Sequence, residues 1–422
     1  MRSPTGTRAP VIPLLTFLLM LVAPLSEGAT RLTYEIDGEA RTIAWDSRSL
    51  PIEFVVDRDG IGSSNGLLRG ATSVWEDGSE GTVSFSISEG EGSKAGQDGK
   101  NVITVNDELL SKNGVLAFTT SWFDDDGRIF ESDIQIDRTQ LSNLGALLSH
   151  ELGHSLGFDH SPLLSSVMYP YVPEKGRLRL DLDDRLALRS AYPPLQAGGS
   201  ISGLVEGSSG PVWGAQVVAV DGEGQPVAST LTDSQGDFLL ESLPAGDYEI
   251  YAEPLDGPVS PNNFSGVWRQ VPSGGFPTSF LGSARIGLGE TDRREGVRIA
   301  VSDQPTSLNP KWIGRIDPAA NELVLDSIAV EVTAGERFSL AVGGDGFVSG
   351  MTEFTVSGNQ VKRLSDFTYG SNYLWAEFEV LPDASERSVV IIVDSGNERA
   401  TLTGGLRISE GGESRRRSTR RR

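Results

Sequence analysis

The sequence HELGHSLGFDH, residues 150–160, decides how the first part of the chain folds. It lies within a helical pattern over 141–158, and residues four apart on an α-helix share one face, about 6 Å apart along the axis. His150 and His154 can therefore direct their imidazole nitrogens at one metal ion. A single rigid element then fixes two ligands.

Three further residues complete the pattern. Glu151 lies roughly 100° around the helix from His150, so it does not readily share the ligand face but can reach a water molecule at the metal. Gly157 can adopt the left-handed conformation that ends a helix and turns the chain sharply, which lets His160 return as a third ligand. A fourth position stays open, as in catalytic rather than structural zinc sites.

The usage of histidine and cysteine supports a metal site. The chain of 422 residues has three histidines, all within 150–160, and no cysteine, so a metal ion must be held by His, Asp or Glu. The alternative is three surface or core histidines that share this spacing by coincidence. A glycine and a third histidine at fixed offsets make that coincidence rare. The sequence therefore predicts bound Zn²⁺.

Composition excludes several classes of protein. The chain length suggests about three domains. A formal charge of −22 argues against a nucleic-acid partner, because phosphate binding needs a basic face. No internal stretch approaches the ~20 apolar residues of a membrane span. Without cysteines, neither disulfides nor a cysteine-blocked zymogen can form.

The N-terminus has the layout of a secretory signal peptide over residues 1–28. Arg2 and Arg8 precede an apolar run over 11–25, and small residues follow it. Three prolines disfavour the alternative of a buried helix. We therefore expect a secreted, extracellular protein with a short polar lead-in at 29–45.

Three regions with different patterns follow the lead-in. Residues 46–194 mix strands and helices; the helical patterns cover 65–78, 141–158 and 181–192. Beyond a Pro- and Gly-containing linker, 199–303 and 306–409 contain short strands between Gly, Pro, Asp and Ser turns, which is typical of β sandwiches. Residues 410–422 form an Arg-rich tail that we expect to be disordered.

The 150–160 motif, H-E-x-x-H-x-x-G-x-x-H, resembles that of the metzincin metallopeptidases, and within them the matrixins. Met168, eight residues after His160, matches the methionine turn that the family carries below its zinc. Pro170 stands where astacins and serralysins carry a tyrosine that can bind the metal. The resemblance therefore favours three protein ligands plus water.

This resemblance implies a fold and an activity. It implies an α+β catalytic domain (a twisted mixed sheet plus the active-site helix), and the strand patterns beyond it predict two all-β sandwich domains, so the expected fold is multi-domain. The activity is that of a secreted endopeptidase whose zinc-bound water is activated by Glu151. The strand at Leu116 and Ala117 would border the cleft and pair with an extended protein or peptide substrate. Residues 171–176 would help form the wall of a side-chain pocket.

One departure from the family concerns the metals. The structural zinc of animal matrixins needs histidines that this chain lacks. Asp124 and Asp126, in the turn DDDG at 124–127, form an oxygen-rich turn that suits Ca²⁺ as a replacement. A solvated acidic turn explains the same residues. The sequence leaves both interpretations open.

The β regions carry weaker resemblances. Residues 199–303 are similar to the carboxypeptidase regulatory-like, transthyretin-type domain, and residues 306–409 are similar, more faintly, to an immunoglobulin-like module. They are spacers or stabilising modules, or they dock a substrate, a polymer or a cell surface. A different class of function is also open: an extracellular adhesion or scaffold protein with a latent or vestigial metzincin domain. Loss of Glu151 or of a histidine ligand would favour it, and all are present.

Overall fold

The computed structural model of the chain describes residues 30–61, 65–90, 94–109, 114–172, 179–192, 198–272, 274–281, 285–317, 322–326 and 328–409. The expected signal peptide, the Arg-rich tail, and most of both the linker and the pocket wall at 171–176 lie outside this part of the chain. No helix within it is long and apolar enough to span a membrane.

The first region is an α+β unit. Its elements are β1 Thr33–Ile36, β2 Glu39–Thr42, β3 Ala44–Trp45, β4 Ile52–Asp57, α1 Arg58–Ile61, α2 Asn65–Gly78, β5 Phe85–Gly90, β6 Asn101–Val105, β7 Ala117–Phe123, β8 Arg128–Ile136, α3 Leu144–Ser155 and α4 Leu182–Ala191. Strands β3, β8, β6, β4 and β5 form a parallel sheet in that order, and β7 pairs antiparallel with β8. The sheet is therefore mixed.

Two helices meet at the core of this region. Leu68, Ala71 and Trp75, three or four residues apart on α2, are buried against α3. Helix α3 is shorter than the helical pattern over 141–158. The chain is a 3₁₀ helix over Arg138–Asn143, begun by Asp137, whose side chain accepts a hydrogen bond from the backbone N–H of Thr139. Only from Leu144 is it α-helical.

The predicted lead-in is folded onto the first region. Strands β1 and β2 form a two-stranded sheet. The backbone N–H of Leu32 donates to the carbonyl of Gly157 (2.9 Å), and the carbonyl of Thr30 accepts from Asp159 (2.9 Å). Arg31 is buried and donates to the carbonyl of Ile43. The chain segment after α3 is thus held by the start of the described chain.

The second region is all-β. Its strands are β9 Gly199–Gly207, β10 Gly210–Pro211, β11 Gln216–Val220, β12 Pro226–Leu231, β13 Asp237–Leu243, β14 Gly246–Glu253, β15 Ser279–Phe280, β16 Ile286–Leu288 and β17 Arg293–Ala300. One sheet joins β10, β9, β13 and β17, and a second joins β12, β11, β14, β15 and β16. Apolar side chains of both sheets form one buried cluster. Between β14 and β15, two 3₁₀ helices (Pro261–Asn263 and Gly266–Gln270) extend toward the first region.

The third region repeats this plan. Its strands are β18 Asn309–Asp317, β19 Glu322–Asp326, β20 Val330–Thr333, β21 Arg337–Asp345, β22 Thr352–Val356, β23 Val361–Arg363, β24 Thr368–Tyr369, β25 Tyr373–Val380, β26 Arg387–Ser395 and β27 Glu398–Ser409. One sheet runs β19, β18, β21, β25, β23, with β24 beside β25, and the other runs β20, β27, β26, β22. Strand β19 is an edge strand that pairs with β18.

The three regions share buried contacts. Leu186 of α4 lies in the apolar cluster of the second region. Leu164 and Tyr169, which precede and follow the methionine turn, lie in the cluster of the third. The backbone of Leu164 donates to the carbonyl of Thr403 (3.0 Å) and accepts from Ala329 (3.1 Å). Buried contacts therefore join the first region to both β regions.

Candidate metal centre

The three histidines meet at one point. His150 and His154 lie on α3, and His160 lies after the turn that ends the helix. One nitrogen from each ring lies within 4.8 Å of the others, so these residues form a group that could hold a metal ion. Among the described residues, no other set of three or more His, Asp or Glu side chains does this.

Backbone carbonyls fix the tautomer of all three rings. Nδ1 of His150 faces the carbonyl of Val167 (2.8 Å), and Nδ1 of His154 faces that of Phe158 (2.8 Å). A carbonyl can only accept, so each Nδ1 carries the proton and Nε2 keeps its lone pair. Metal-bound histidines are oriented by such second contacts.

The third histidine takes its partner from the second region. Nδ1 of His160 donates to the backbone carbonyl of Asn263, in the 3₁₀ helix Pro261–Asn263. The preceding Asp159 is held from both sides, since its carboxylate accepts from the backbone N–H groups of His160 (2.8 Å) and Ser265 (2.9 Å). The orientation of the third ring thus depends on a segment about a hundred residues away.

Burial keeps the three rings neutral. Burial, aided by the neighbouring His160 and opposed by the Val167 hydrogen bond, lowers the pKa of His150 to about 3. The pKa values of His154 and His160 are also lowered, mainly by burial. Neutral imidazoles with a free Nε2 are the form that binds zinc. These residues therefore fit a zinc ion.

Glu151 is buried beside the histidines and is held by strand β7. Its Oε2 accepts from the hydroxyl of Thr119 at 2.6 Å, and its backbone carbonyl accepts from the same hydroxyl at 3.1 Å. Burial raises the pKa of Glu151 to about 7, and the Thr119 hydrogen bond opposes this rise. A carboxyl group with a pKa near neutrality suits proton transfer.

The methionine turn packs directly on α3. A Cβ atom at Gly153 would lie 2.2 Å from the sulfur of Met168 and 2.6 Å from the ring of Trp75, so only glycine fits there. The indole of Trp75 donates to the carbonyl of Ser149 (2.7 Å) and stacks on Phe158 at 5.6 Å. The turn and the ring together fix the helix that carries two of the histidines.

Gly157 ends the helix in the conformation that the sequence suggests. Its φ is +90°, and a Cβ atom there would lie 2.1 Å from the carbonyl oxygen of Ile43. A side chain would be excluded both by backbone conformation and by the N-terminal segment.

One cavity of about 1070 Å³ contains all three histidines and Glu151 in its lining. Residues 114–119 also line it, so the predicted substrate-binding residues Leu116 and Ala117 border the metal centre. Strand β7 begins at Ala117, one residue beyond Leu116, and β8 is its partner in the sheet. Tyr171, part of the predicted pocket wall, lies in the lining as well.

In the predicted calcium turn, the carboxylates of Asp124 and Asp126 contact other groups of the same turn. Oδ1 of Asp124 accepts from the backbone N–H groups of Asp126 (3.0 Å) and Arg128 (2.9 Å). The guanidinium of Arg128 contacts Oδ2 of Asp126 at 2.7 Å and of Asp124 at 3.7 Å. These contacts describe an acidic turn paired with Arg128, and a calcium site at Asp124 and Asp126 stays a prediction.

The sequence reading missed three residues at the site. Thr119 was not recognised because its role depends on which face of β7 meets α3, and no local pattern shows this. Asn263 contributes a backbone carbonyl, which leaves no residue-type signal. Glu331, also in the lining, comes from a β region whose docking could not be deduced.

Comparisons with known proteins agree with the site. Residues 73–193 match the family model for the matrixins, and residues 200–257 match the carboxypeptidase regulatory-like domain. The hatching enzyme of Paracentrotus lividus is 38% identical over 86 residues, which is 19% of this chain and 14% of that protein. The chain therefore spans only a small part of this relative.

The solved structures that match the chain add little evidence about its fold. The Bacillus anthracis TIE protein is 10% identical over 51% of this chain and 33% of its own, and the major pilin subunit BcpA of Bacillus cereus is 12% identical over 51% and 70%. Both give a TM-score of 0.17, which supports no argument about fold. The family matches and the site are the stronger findings: residues 73–193 form a domain of the matrixin family, and residues 200–257 form a carboxypeptidase regulatory-like domain.

Proposed function

We propose that the chain is a secreted, extracellular zinc-dependent endopeptidase. Its α+β catalytic domain precedes two all-β sandwich domains. The observation that carries this proposal is the set of three converging histidines, each held by a carbonyl at Nδ1, with the buried Glu151 in the same cavity. When bound at Nε2 of these rings, zinc would lower the pKa of a water molecule and polarise a carbonyl group.

The residues of the chain provide the remaining chemistry. Thr119 holds Glu151 at Oε2, so that Oε1 can accept the proton of the attacking water and pass it to the leaving amine. Strand β7, an edge of its sheet, offers main-chain groups to an extended peptide. Burial of the site strengthens these electrostatic interactions.

An adhesion or scaffold protein with a latent domain is the less favoured function. Such a protein has no need of a buried general base held at hydrogen-bond distance by a neighbouring strand. Here that contact is short, and the cavity beside it is lined by the edge strand. Docking of a cell surface through the β domains is compatible with either function.

The test is proteolysis by the chain lacking residues 1–28. Labelled casein and a mixed peptide library are incubated with and without a zinc chelator, in parallel with the Glu151→Gln variant. We expect cleavage that chelator abolishes and zinc restores, and no cleavage by E151Q even though it binds one equivalent of zinc. Zinc binding without cleavage by the parent protein would favour the latent domain.

A further inference from the structure

The third region lines the same cavity as the metal centre. Arg315 of β18, Leu325 and Asp326 of β19, and Glu331 of β20 all belong to its lining, together with the histidines and Glu151. The catalytic domain therefore does not form the whole of the space in which a substrate would lie.

The position of the third region is fixed by contacts beside the metal centre. The backbone of Leu164, four residues after His160, hydrogen-bonds to Thr403 and to Ala329, and Ala329 itself lines the cavity. The side chain of Leu164 is buried in the apolar cluster of the third region. A second contact joins Asp181 to Ser388, whose hydroxyl donates to its carboxylate at 2.6 Å. The cavity wall from this region is thus held at several points.

Strand β19 presents an edge at this cavity. It pairs with β18, and its other side is unpaired among the described strands. Val324 and Leu325 are 52% and 56% exposed, although both are apolar. An exposed apolar edge strand is an aggregation hazard unless it binds a partner. Its continuity with the catalytic cavity identifies an extended polypeptide as the partner.

The charges of this wall indicate which side chains the bound polypeptide should carry. Two carboxylates, of Asp326 and Glu331, face the cavity with one guanidinium, of Arg315. Arg315 is shared between two carboxylates. Its Nε lies 3.9 Å from Oδ2 of Asp326, and its Nη1 lies 3.8 Å from Oε1 of Glu336. These are long contacts, so the guanidinium does not saturate the carboxylates. The wall is acidic and complements a basic side chain.

From these observations we propose that the third region is part of the substrate-binding cleft. Leu325 contacts apolar parts of the bound peptide, and Asp326 and Glu331 select segments that carry a lysine or arginine. This inference rests on the proposed endopeptidase function, because it concerns the same cavity. It assigns selectivity to a domain outside the matrixin domain.

The test measures binding and cleavage separately. Two dye-labelled peptide libraries differ in one respect: each peptide of the first contains one lysine, and the second has glutamine there. Binding is measured with zinc-loaded E151Q protein, with and without D326N/E331Q. Cleavage is measured with protein that retains Glu151, with and without the D326N/E331Q substitutions. E353Q/D383N, which neutralises two exposed carboxylates of the same region outside the cavity, is the matched control.

We expect the parent to bind and cleave the lysine library better than the glutamine library, and D326N/E331Q to reduce this preference about tenfold. The control should keep it. E331K changes one exposed side chain and should also reduce the preference. Equal preference in all variants would overturn the inference. Loss of the binding preference in D326N/E331Q, with no cleavage by the parent, would support the cleft but refute the endopeptidase function.

Discussion

The backbone carbonyl of Asn263 accepts a hydrogen bond from Nδ1 of His160, so the second region orients one ring of the candidate metal centre in the first. The side chain of Asn263 holds that carbonyl in place, because its Oδ1 accepts from the backbone N–H of Ser260 at 2.9 Å. The metal centre is therefore completed by a residue outside residues 73–193, which match the matrixins.

Asn263→Ala should weaken zinc binding about tenfold, since loss of an outer-shell contact typically costs 10- to 100-fold in metal affinity. The loosened 3₁₀ turn no longer fixes the ring of His160. Competition with a chromophoric chelator measures the zinc dissociation constant. Asn359→Ala, on an exposed loop of the third region, is the control. Unchanged zinc affinity in N263A would show that the contact is incidental.

Thr119→Val should lower kcat about tenfold and leave zinc affinity unchanged, because the variant removes the hydrogen bond that positions Glu151 but none to a histidine. The measurements are steady-state kinetics on a cleaved peptide and a zinc titration. Thr120→Val alters the next residue of β7, which pairs with Asp133 across the sheet, and should retain activity. A loss in both variants would indicate a general disturbance of the strand.

Gly153→Ala should destabilise the protein by about 2 kcal/mol, because the added methyl group overlaps Met168 and Trp75 in a packed core. Denaturant unfolding measures the change. Gly145→Ala lies on the same helix, where the nearest atom, of Leu67, is 3.7 Å from the new Cβ atom. That variant should keep or raise stability, by up to about 1 kcal/mol from helix propensity. Equal effects at the two positions would contradict this packing.

Glu253 should make the stability of the fold depend on pH. It is buried between the second and third regions, accepts from the hydroxyl of Thr403 at 2.7 Å and also contacts Thr401. Burial raises its pKa from 4.5 to about 7. Between these values the folded chain binds a proton that the unfolded chain releases, so the stability that Glu253 contributes is present below pH 4.5 and is lost as pH rises to about 7.

Glu253→Gln should therefore reduce the loss of stability between pH 5 and pH 8 by about 2 kcal/mol. Gln retains the shape and can bond to both threonines, but it does not ionise. Melting temperatures at the two pH values, compared with those of the parent, give the difference. Glu249→Gln, a neighbour on β14 at a partly exposed position, serves as the control. Parallel pH curves for the parent and E253Q would refute a raised pKa.

The local features of the fold were accessible from the sequence. The apolar spacing over 65–78 marks the face of α2 that buries Leu68 and Trp75, although Leu67, part of the same pattern, is exposed. The 150–160 motif specifies which side chains converge, because helix geometry and the turn at Gly157 act over short distances. Such features depend on residues near one another in the chain.

The features that were not accessible depend on distant residues. Residues 29–45 have no strong pattern, yet Arg31 is buried and its carbonyl accepts from the indole of Trp268 at 3.0 Å. Similarly, the shared cavity depends on how a third domain packs on the loop around Met168. Neither spacing nor composition describes the packing of one domain against another, so the contribution of Glu331 could not be foreseen.

The burial of Leu164 and Tyr169 in the core of the third region limits how the domains of this protein can be exchanged during evolution. These side chains belong to the loop that carries Met168, so a gene rearrangement that exchanged the C-terminal domain alone would expose them to water. The matrixin domain, with its loop, and the β domain that packs on it must then change together. Lineages of this protein should diversify by coordinated substitution across the three domains rather than by shuffling them.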